Sequence, residues 1–123
     1  MARTTVDGKT IADAYLRRIE ISRDEPAHLS KQAGQYLPIT WSEIHSRVLG
    51  IFKSYQKMGL LPGDKVCILS QTRSEWNIVD LANLSTGIIT VPIYHSSLPE
   101  DVAFLIEHSG AKLIVIAYTT WEK

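Results

Sequence analysis

The hydrophobic residues of this chain follow two patterns, a helical spacing in some segments and short continuous runs in others. Between Thr40 and Gly59, five apolar side chains recur at intervals that place them on one helix face: Ile44, Val48, Ile51, Phe52 and Tyr55. Gly59 then serves as a left-handed stop, and Ile39 pairs with Ile44 as a hydrophobic staple at the start. The pattern predicts an amphipathic helix with one face in a core.

Two later segments also carry helical signals. The first runs from about residue 73 to 86 with Gly87 as its stop, and the second has Pro99 in its first turn and ends at Gly110. The predicted inward residues are Trp76, Val79, Ala82 and Leu84 in the first helix, and Val102, Leu105 and Ile106 in the second.

A helix-start signature, Ser or Thr followed three residues later by an acid, occurs at four places. The pairs are Thr10 with Asp13, Thr40 with Glu43, Thr72 with Glu75, and Ser97 with Glu100. The hydroxyl can accept from a free N–H of the first turn, and the acid favours the positive end of the helix dipole. Each pair precedes an amphipathic stretch, so the pattern predicts four helices.

Three runs between these helices are almost entirely apolar. They are "KVCILS" over 65–70, "IITVPI" over 88–93 and "KLIVIA" over 112–117. Continuous rather than alternating apolar residues are expected of strands buried on both faces of a parallel sheet. The alternation of these strands with helices is a βαβαβ rhythm, for which right-handed crossovers are the rule.

The segments before and between these elements contain turn signals. "HLSKQAGQYLPIT" predicts a small hairpin turning near Ala33 and Gly34, with Pro38 confining its second strand to an edge. The Pro-Gly-Asp turn within 60–65 delivers the chain into the first parallel strand. The predicted fold is α/β, a short mostly parallel sheet flanked by helices and preceded by a helix and a hairpin. We expect one domain over 1–123, with the helix and hairpin in 1–39 and the βαβ core in 40–123.

The composition argues against several classes of function and location. The chain of 123 residues is 45% hydrophobic and 21% charged, and its 13 basic residues balance 13 acidic ones, so no net field favours nucleic acid or an anionic membrane. Cys67 lies inside an apolar run and is predicted to be a buried, inert thiol, and no His/Cys spacing indicates a metal site. The polar start of the chain has no apolar signal-peptide core and the apolar runs are too short to span a bilayer, which predicts a cytoplasmic location.

Two loops follow the carboxyl ends of strands, where α/β folds place ligands. They are Ser70-Gln71-Thr72 and the segment from Tyr94 to Ser97, and neither is a glycine-rich phosphate cradle. "STG" at 85–87 lacks a following lysine, so Gly87 is interpreted as a helix stop.

His95 is the residue here that could act as an acid, a base or a donor to a ligand. It has no acidic or nucleophilic partner at a motif-like spacing, and Ser97 is assigned to a helix cap. We therefore favour a strand-to-helix joint over a catalytic loop. The remaining candidates are assigned structural roles: His28, His45 and His108 as surface or helix-face residues, Asp7 and Asp24 as turn acids, and Trp41, Trp76 and Trp121 as packing anchors.

Several short blocks, taken in order, resemble the N-terminal part of AMP-forming acyl-CoA synthetases, members of the adenylate-forming superfamily. The blocks are Thr40-Trp41, "GLLPGD" at 59–64, Glu75-Trp76, "GIITVPIY" at 87–94 and "HSGAK" at 108–112. The resemblance covers roughly residues 35–116. The hairpin and the sequence "VPIY" are most similar to the long-chain fatty acid branch. Many relatives have Pro where His95 stands, followed by Thr rather than Ser.

The resemblance implies a ligase that works in two half-reactions. ATP and Mg²⁺ activate a carboxylate as an acyl-adenylate with loss of pyrophosphate, and the CoA thiol then displaces AMP. The family's phosphate loop ending Pro-Lys-Gly, its Tyr-Gly-x-Thr-Glu and Thr-Gly-Asp blocks and its lid lysine do not occur in this chain and would lie beyond it. No catalytic, cofactor-binding or metal residue is carried over, no cofactor is expected to bind this chain, and the chain alone is predicted to be inactive.

The resemblance makes the chain a fragment of a parent that uses fatty acid, ATP, Mg²⁺ and CoA, and a peripheral membrane contact stays open for that parent. A sheet edge and helix faces left uncovered by the truncation would invite a homodimer or segment swap. Two alternatives remain: a free-standing α/β interaction or small-ligand module, and a fragment of another adenylate-forming enzyme, such as an o-succinylbenzoate or aromatic acid CoA ligase.

Overall fold

The structure is a computed structural model that describes residues 8–118. Within that range the chain forms four helices and five strands. In chain order they are α1 (Ile11–Ser22), β1 (Pro26–Gln32), β2 (Gln35–Thr40), α2 (Trp41–Met58), β3 (Lys65–Leu69), α3 (Ser74–Thr86), β4 (Ile89–Ile93), α4 (Pro99–Ser109) and β5 (Leu113–Ile116). This order confirms the predicted sequence of elements.

Strands β4, β3 and β5 form a parallel sheet with β3 in the centre. Lys65 aligns with Ile89 of β4, and Val66 aligns with Leu113 of β5. Strands β1 and β2 form a separate antiparallel pair. The predicted α/β fold, a short parallel sheet preceded by a helix and a hairpin, is confirmed.

The side chains of β3 alternate between the two faces of the sheet. Val66 joins Tyr55 and Ile88 in a cluster on the α2 side. Cys67 and Leu69 join half-buried residues of α4 on the other side. Strands β4 and β5 lie on opposite sides of β3, so crossovers of the usual right-handed sense are expected to place α3 and α4 on opposite faces. The sheet is therefore covered by helices on both faces.

The outer strands are less buried than their sequences predict. Ile89 in β4 is 48% exposed, and all four residues of β5 are only half-buried. An edge strand has a neighbour on one side alone, so it shares fewer contacts than β3 does. The prediction of burial on both faces is therefore correct for β3 and wrong for β4 and β5.

Helix α2 matches its predicted pattern closely. Thr40 and Glu43 form a reciprocal capping box, and Gly59 ends the helix with a φ of 76°. Its buried residues Ile44 and Val48 share one core cluster with Tyr15, Ile19 and Ile39 on preceding elements and Ile78, Leu81 and Ala82 on α3. Phe52, predicted to face inward, is instead 37% exposed, because it lies at the margin of the buried face, about 80° around the helix from the fully buried Ile44.

Helix α3 begins later and faces differently than predicted. Arg73 occupies the N-cap position, directly after Thr72, so the predicted Thr72 cap is wrong. Ile78, Val79, Leu81 and Ala82 are buried, whereas Leu84 is 37% exposed. Leu84 lies about 140° around the axis from Val79, which turns it away from the core. Gly87 ends the helix in the left-handed conformation, as predicted.

Helix α4 also begins without the predicted hydroxyl cap. Leu98 is the N-cap residue and Pro99 follows it in the first turn, so the Ser97 assignment is wrong while the Pro99 assignment is confirmed. Gly110 ends the helix as predicted. The predicted inward residues Val102, Leu105 and Ile106 are half-buried against the face of β3 that carries Cys67 and Leu69.

The hairpin turns where the sequence predicts. Ala33 and Gly34 both have positive φ angles, 49° and 81°, which is the geometry of a two-residue type I′ turn. Pro38 pairs with Leu29 in a sheet of two strands, where both strands are edges. Trp41 and Ser42 donate backbone hydrogen bonds to the carbonyls of Glu25 and Arg23, which fastens the turn between α1 and β1 to the start of α2.

A chain of hydrogen bonds runs through the core between helices and sheet. The Tyr55 hydroxyl donates to Oδ1 of the fully buried Asn83 at 2.7 Å, and Asn83 Nδ2 donates to Thr90 Oγ1 at 2.9 Å. Thr90 donates to Asp80 Oδ1 at 2.7 Å. The chain joins α2, α3 and β4, and it satisfies a buried amide that would otherwise destabilise the fold.

We expect Thr40→Ala to lower the free energy of unfolding by about 1 kcal/mol, because it removes the acceptor for the Glu43 N–H. Thr72→Ala is the matched control: it lies outside α3, and its effect should stay within about 0.5 kcal/mol. Urea unfolding followed by circular dichroism measures both. Equal losses in the two variants would contradict the observed helix starts.

We expect Tyr55→Phe to lower the free energy of unfolding by about 1–3 kcal/mol, because Asn83 Oδ1 would be left buried without its donor. Tyr94→Phe is the control, since Tyr94 is 83% exposed.

Burial raises the pKa of Tyr55 from 10.0 to about 12. The stabilisation by the neutral phenol is therefore complete below pH 10 and is lost as the pH rises through 12. The midpoint temperature of thermal unfolding should fall less steeply with rising alkaline pH in Tyr55→Phe than in the unsubstituted chain. An equally steep fall in both would contradict the burial of the Tyr55 hydroxyl.

Candidate functional site

The carboxyl ends of β3 and β4 frame an open cleft of about 470 Å³. Its lining includes Ser70, Thr72, Trp76, Tyr94 and His95. These residues come from both loops that the sequence singled out. The structure therefore brings the two predicted loops together at one end of the sheet.

The segment between β3 and α3 is held by local contacts. The Ser70 hydroxyl donates to the Gln71 carbonyl at 2.8 Å, and Arg73 Nε lies 3.0 Å from Glu75 Oε2. The N–H of Glu75 itself, together with Arg73, lowers the pKa of the Glu75 carboxyl. This acid is thus paired and charged, which does not suit it to donate a proton near neutral pH.

The segment after β4 is a tight turn. The Ser97 N–H donates to the Tyr94 carbonyl at 3.0 Å, which places His95 and Ser96 at its two central positions. Ala33 is the one non-glycine residue with positive φ within 8–118, so this turn is of the type I class. His95 is exposed at a position where backbone geometry, rather than side-chain chemistry, sets the connection. The geometry favours the joint interpretation of this loop.

Two further clefts adjoin the β3–α3 segment. One, of about 670 Å³, lies between that segment and the hairpin, where Lys31 sits 5.8 Å from the Tyr36 ring centre. The other, of about 270 Å³, lies between Trp76 and the end of β5. Sequence reasoning missed the hairpin residues, because the packing of the hairpin beside α3 is a tertiary contact with no local signal.

The amino end of the sheet is closed by a bonded turn. Asp64 accepts from the Leu61 N–H at 2.8 Å and pairs with Lys112 Nζ at 3.2 Å. The Leu61 N–H, followed by Lys112, lowers the pKa of the Asp64 carboxyl. Gly63 donates to the Gly87 carbonyl at 2.8 Å. Gly87 therefore ends α3 and contacts this turn, which confirms its interpretation as a helix stop. The cleft between the two loops lies at the opposite end of the sheet.

The other singled-out residues have mostly structural contacts. Cys67 is buried, as predicted, and burial raises the pKa of its thiol. His45 on α2 bonds the Tyr15 hydroxyl at 2.8 Å, and His108 on α4 stacks on Phe104 at 5.3 Å. Trp41 packs beside Tyr15 as predicted, Trp76 is half-buried, and Asp24 lies in a turn. Asp7 and Trp121 lie outside the described residues.

His28 differs from its prediction. It lies in β1 and is half-buried, and its Nδ1 is buried with no hydrogen-bond partner among the described residues. The hairpin predicted from the sequence already began at His28, so the prediction was wrong about the burial of this residue and not about the strand that contains it.

Within residues 8–118, no cluster of three or more His, Cys, Asp or Glu side chains could hold a metal ion. No helix in the same range is long and apolar enough to cross a membrane.

Comparison with known proteins identifies the scaffold. The model of the family described as AMP-binding enzyme matches residues 17–123. This chain belongs to the AMP-binding enzyme family. The family resemblance of the sequence blocks is thereby confirmed.

Curated relatives in this family are CoA ligases. The chain is 34% identical over 98 residues to the long-chain-fatty-acid–CoA ligase FadD15 of Mycobacterium bovis, a match covering 77% of this chain and 16% of that protein. It is 28% identical over 108 residues to the long-chain-fatty-acid–CoA ligase ACSBG2 of Gallus gallus, covering 88% of this chain and 14% of that one. The chain therefore spans about a sixth of the length of these relatives.

Solved structures share the fold. IdnL1 superposes with a TM-score of 0.80 at 16% identity, over 94% of this chain and 24% of its own. A Rhodopseudomonas palustris structure, provisionally assigned as a long-chain-fatty-acid CoA ligase, gives a TM-score of 0.79 at 25% identity, over 92% of this chain and 28% of its own. The described residues thus have the architecture found in larger enzymes of this kind.

We expect His95→Pro to leave the fold intact and to change the free energy of unfolding by between zero and a gain of about 1 kcal/mol, because proline suits the second position of a type I turn. Ser97→Pro is the matched control: it removes the N–H that donates to Tyr94 and should cost about 1–3 kcal/mol. Urea unfolding of both variants measures the difference. A comparable loss in His95→Pro would show that the His95 side chain has a role that the turn does not require.

Proposed function

We propose that this chain is the N-terminal portion of an ATP-dependent long-chain fatty acid–CoA ligase. The observation that carries the proposal is the family match over residues 17–123 combined with the long-chain ligase relatives FadD15 and ACSBG2. The parent would form an acyl-adenylate and release pyrophosphate, and the thiol of CoA would then displace AMP. We place the parent in the cytoplasm.

The contribution of this portion is structural. Its sheet supplies the buried strand β3, and its turn at Asp64 and its caps fix the ends of the elements around that strand. ATP, Mg²⁺, CoA and the fatty acid would be bound mainly by parts of the parent outside residues 8–118. The turn geometry at His95 supports this division.

Two other functions compete with this proposal. A fragment of an aromatic acid ligase would have the same scaffold, and the N-terminal subdomain of Klebsiella oxytoca NpsA, bound to 3-hydroxyanthranilyl-AMSN, has a TM-score of 0.78. That match is 23% identical and concerns the fold alone. A free-standing interaction module would have no ligase parent at all.

We expect the purified 123-residue chain to catalyse no ATP–pyrophosphate exchange with palmitate, benzoate or o-succinylbenzoate. FadD15 assayed with palmitate under the same conditions is the positive control. Unfolding curves confirm that the chain is folded in the assay. Exchange above background with any of these acids would contradict the proposed inactivity.

The reading frame downstream of Lys123 separates the parent from the module. Continuation into a Ser/Thr/Gly-rich loop ending Pro-Lys-Gly is the result expected for a ligase parent. The same acids, offered to the continued protein, then distinguish a fatty acid ligase from an aromatic one. A stop codon at this position in the native transcript would favour the free-standing module.

A further inference from the structure

One tripeptide of the sequence has the pattern of an N-glycosylation acceptor and begins in the core of the fold. Asn83-Leu84-Ser85 is the single Asn-x-Ser/Thr tripeptide in the 123 residues, and its middle residue is not proline. Acceptor tripeptides of this kind belong to surface loops of secreted proteins. Here the tripeptide lies in the last turn of α3 instead.

The side chain of Asn83 is enclosed by neighbouring elements. It is 0% exposed, and both of its polar atoms are bonded. Oδ1 accepts from the Tyr55 hydroxyl of α2 at 2.7 Å, and Nδ2 donates to Thr90 Oγ1 of β4 at 2.9 Å. The enclosure is therefore complete within residues 8–118.

The helix also separates the two groups that an acceptor tripeptide presents together. In an extended chain, residues i and i+2 lie on the same side, whereas in an α-helix they lie about 200° apart around the axis. Ser85 is accordingly exposed, while Asn83 points into the core. A transferase that must reach the Asn83 amide and the Ser85 hydroxyl at once cannot do so on the folded chain.

We infer that Asn83 accepts an N-linked oligosaccharide in the unfolded chain, and that this modification and the fold exclude each other. The donor class is an oligosaccharide carried on a polyprenyl diphosphate. A bond forms between Asn83 Nδ2 and the anomeric carbon of the first sugar, and the bond between that carbon and the diphosphate oxygen breaks. One amide proton leaves Nδ2, and the polyprenyl diphosphate departs with the electron pair of the broken bond.

The fold has no place for an oligosaccharide at this position. The Tyr55 ring beside Asn83 belongs to an apolar cluster with Val66 and Ile88, in which sugar hydroxyls would lack hydrogen-bond partners. Turning α3 to expose the amide would instead break the bonds to Tyr55 and Thr90. The chain therefore reaches this fold only where no oligosaccharide is transferred to it, and this condition does not depend on the proposed ligase function.

The test is cell-free translation of the chain, preceded by a cleavable secretory signal, in the presence of microsomes. We expect a fraction of the chains to gain one oligosaccharide, seen as a mobility shift that an endoglycosidase reverses. Lectin capture then isolates the modified chains. Trypsin should digest them at least about tenfold faster than Ser85→Ala prepared in the same microsomes, because cleavage follows the population of open chains.

Two variants serve as matched controls. Ser85→Ala removes the acceptor pattern at an exposed helical position, so it should stay unmodified and resist trypsin. Ala33→Asn with Gln35→Thr, in the Ser85→Ala background, moves the tripeptide to the hairpin turn. Residue 33 is exposed there and has a φ of 49°, which asparagine tolerates. This variant should be modified and should still resist trypsin as Ser85→Ala does.

Three results overturn the inference. They are the absence of any chain modified at Asn83, modified chains that resist trypsin as Ser85→Ala does, and equal sensitivity of the chains modified at Asn83 and at the hairpin turn. Rapid digestion of Ser85→Ala itself also overturns it, because Asn83 would then not be held in a stable core.

Discussion

The complete burial of β3 is the constraint on which the rest of this structure depends. Val66, Cys67, Ile68 and Leu69 are each at most 2% exposed, so four consecutive residues require apolar cover on both faces. One helical layer cannot provide it, because adjacent side chains of a strand point in opposite directions. Helix α4 must therefore lie opposite α2, and this follows once β4 and β5 take opposite sides of β3. The placement of the two loops at one end of the sheet is a consequence of the same arrangement.

Polar bonding adds specificity to this apolar arrangement. Apolar contacts alone tolerate sliding of α3 along the sheet, since one aliphatic side chain can replace another at little cost. Asn83 cannot slide in this way, because its buried amide needs both the Tyr55 hydroxyl and Thr90 Oγ1 within bonding distance. The network fixes the height of α3 against β4 and thereby the position from which the Tyr94–Ser97 turn begins. The buried hydrogen bonds of Asn83 therefore help to determine where the cleft lies.

The features that could be predicted from the sequence are those determined by a few neighbouring residues. The capping box at Thr40, the stop at Gly59 and the turn at Ala33 and Gly34 each depend on a few neighbouring residues, and all three are confirmed. The caps assigned to Thr72 and Ser97 were wrong because the start of those helices is set by the geometry of the preceding loops, so that Arg73 and Leu98 become the N-caps. Burial of the outer strands and the cleft beside Lys31 depend on which elements become neighbours, and no local pattern contains that information. Both loops of the candidate site were found because the carboxyl-end rule follows from topology alone.

The blocks that carry the family resemblance can be explained by the scaffold. Thr40 caps α2, the segment 59–64 closes the amino end of the sheet through Asp64, and Gly87 ends α3 against that turn. These functions concern folding, and none of them requires a substrate. A chain can therefore match an enzyme family over most of its length through residues that build the sheet. This is why clear membership in the AMP-binding family coexists with a cleft in which His95 occupies an ordinary turn.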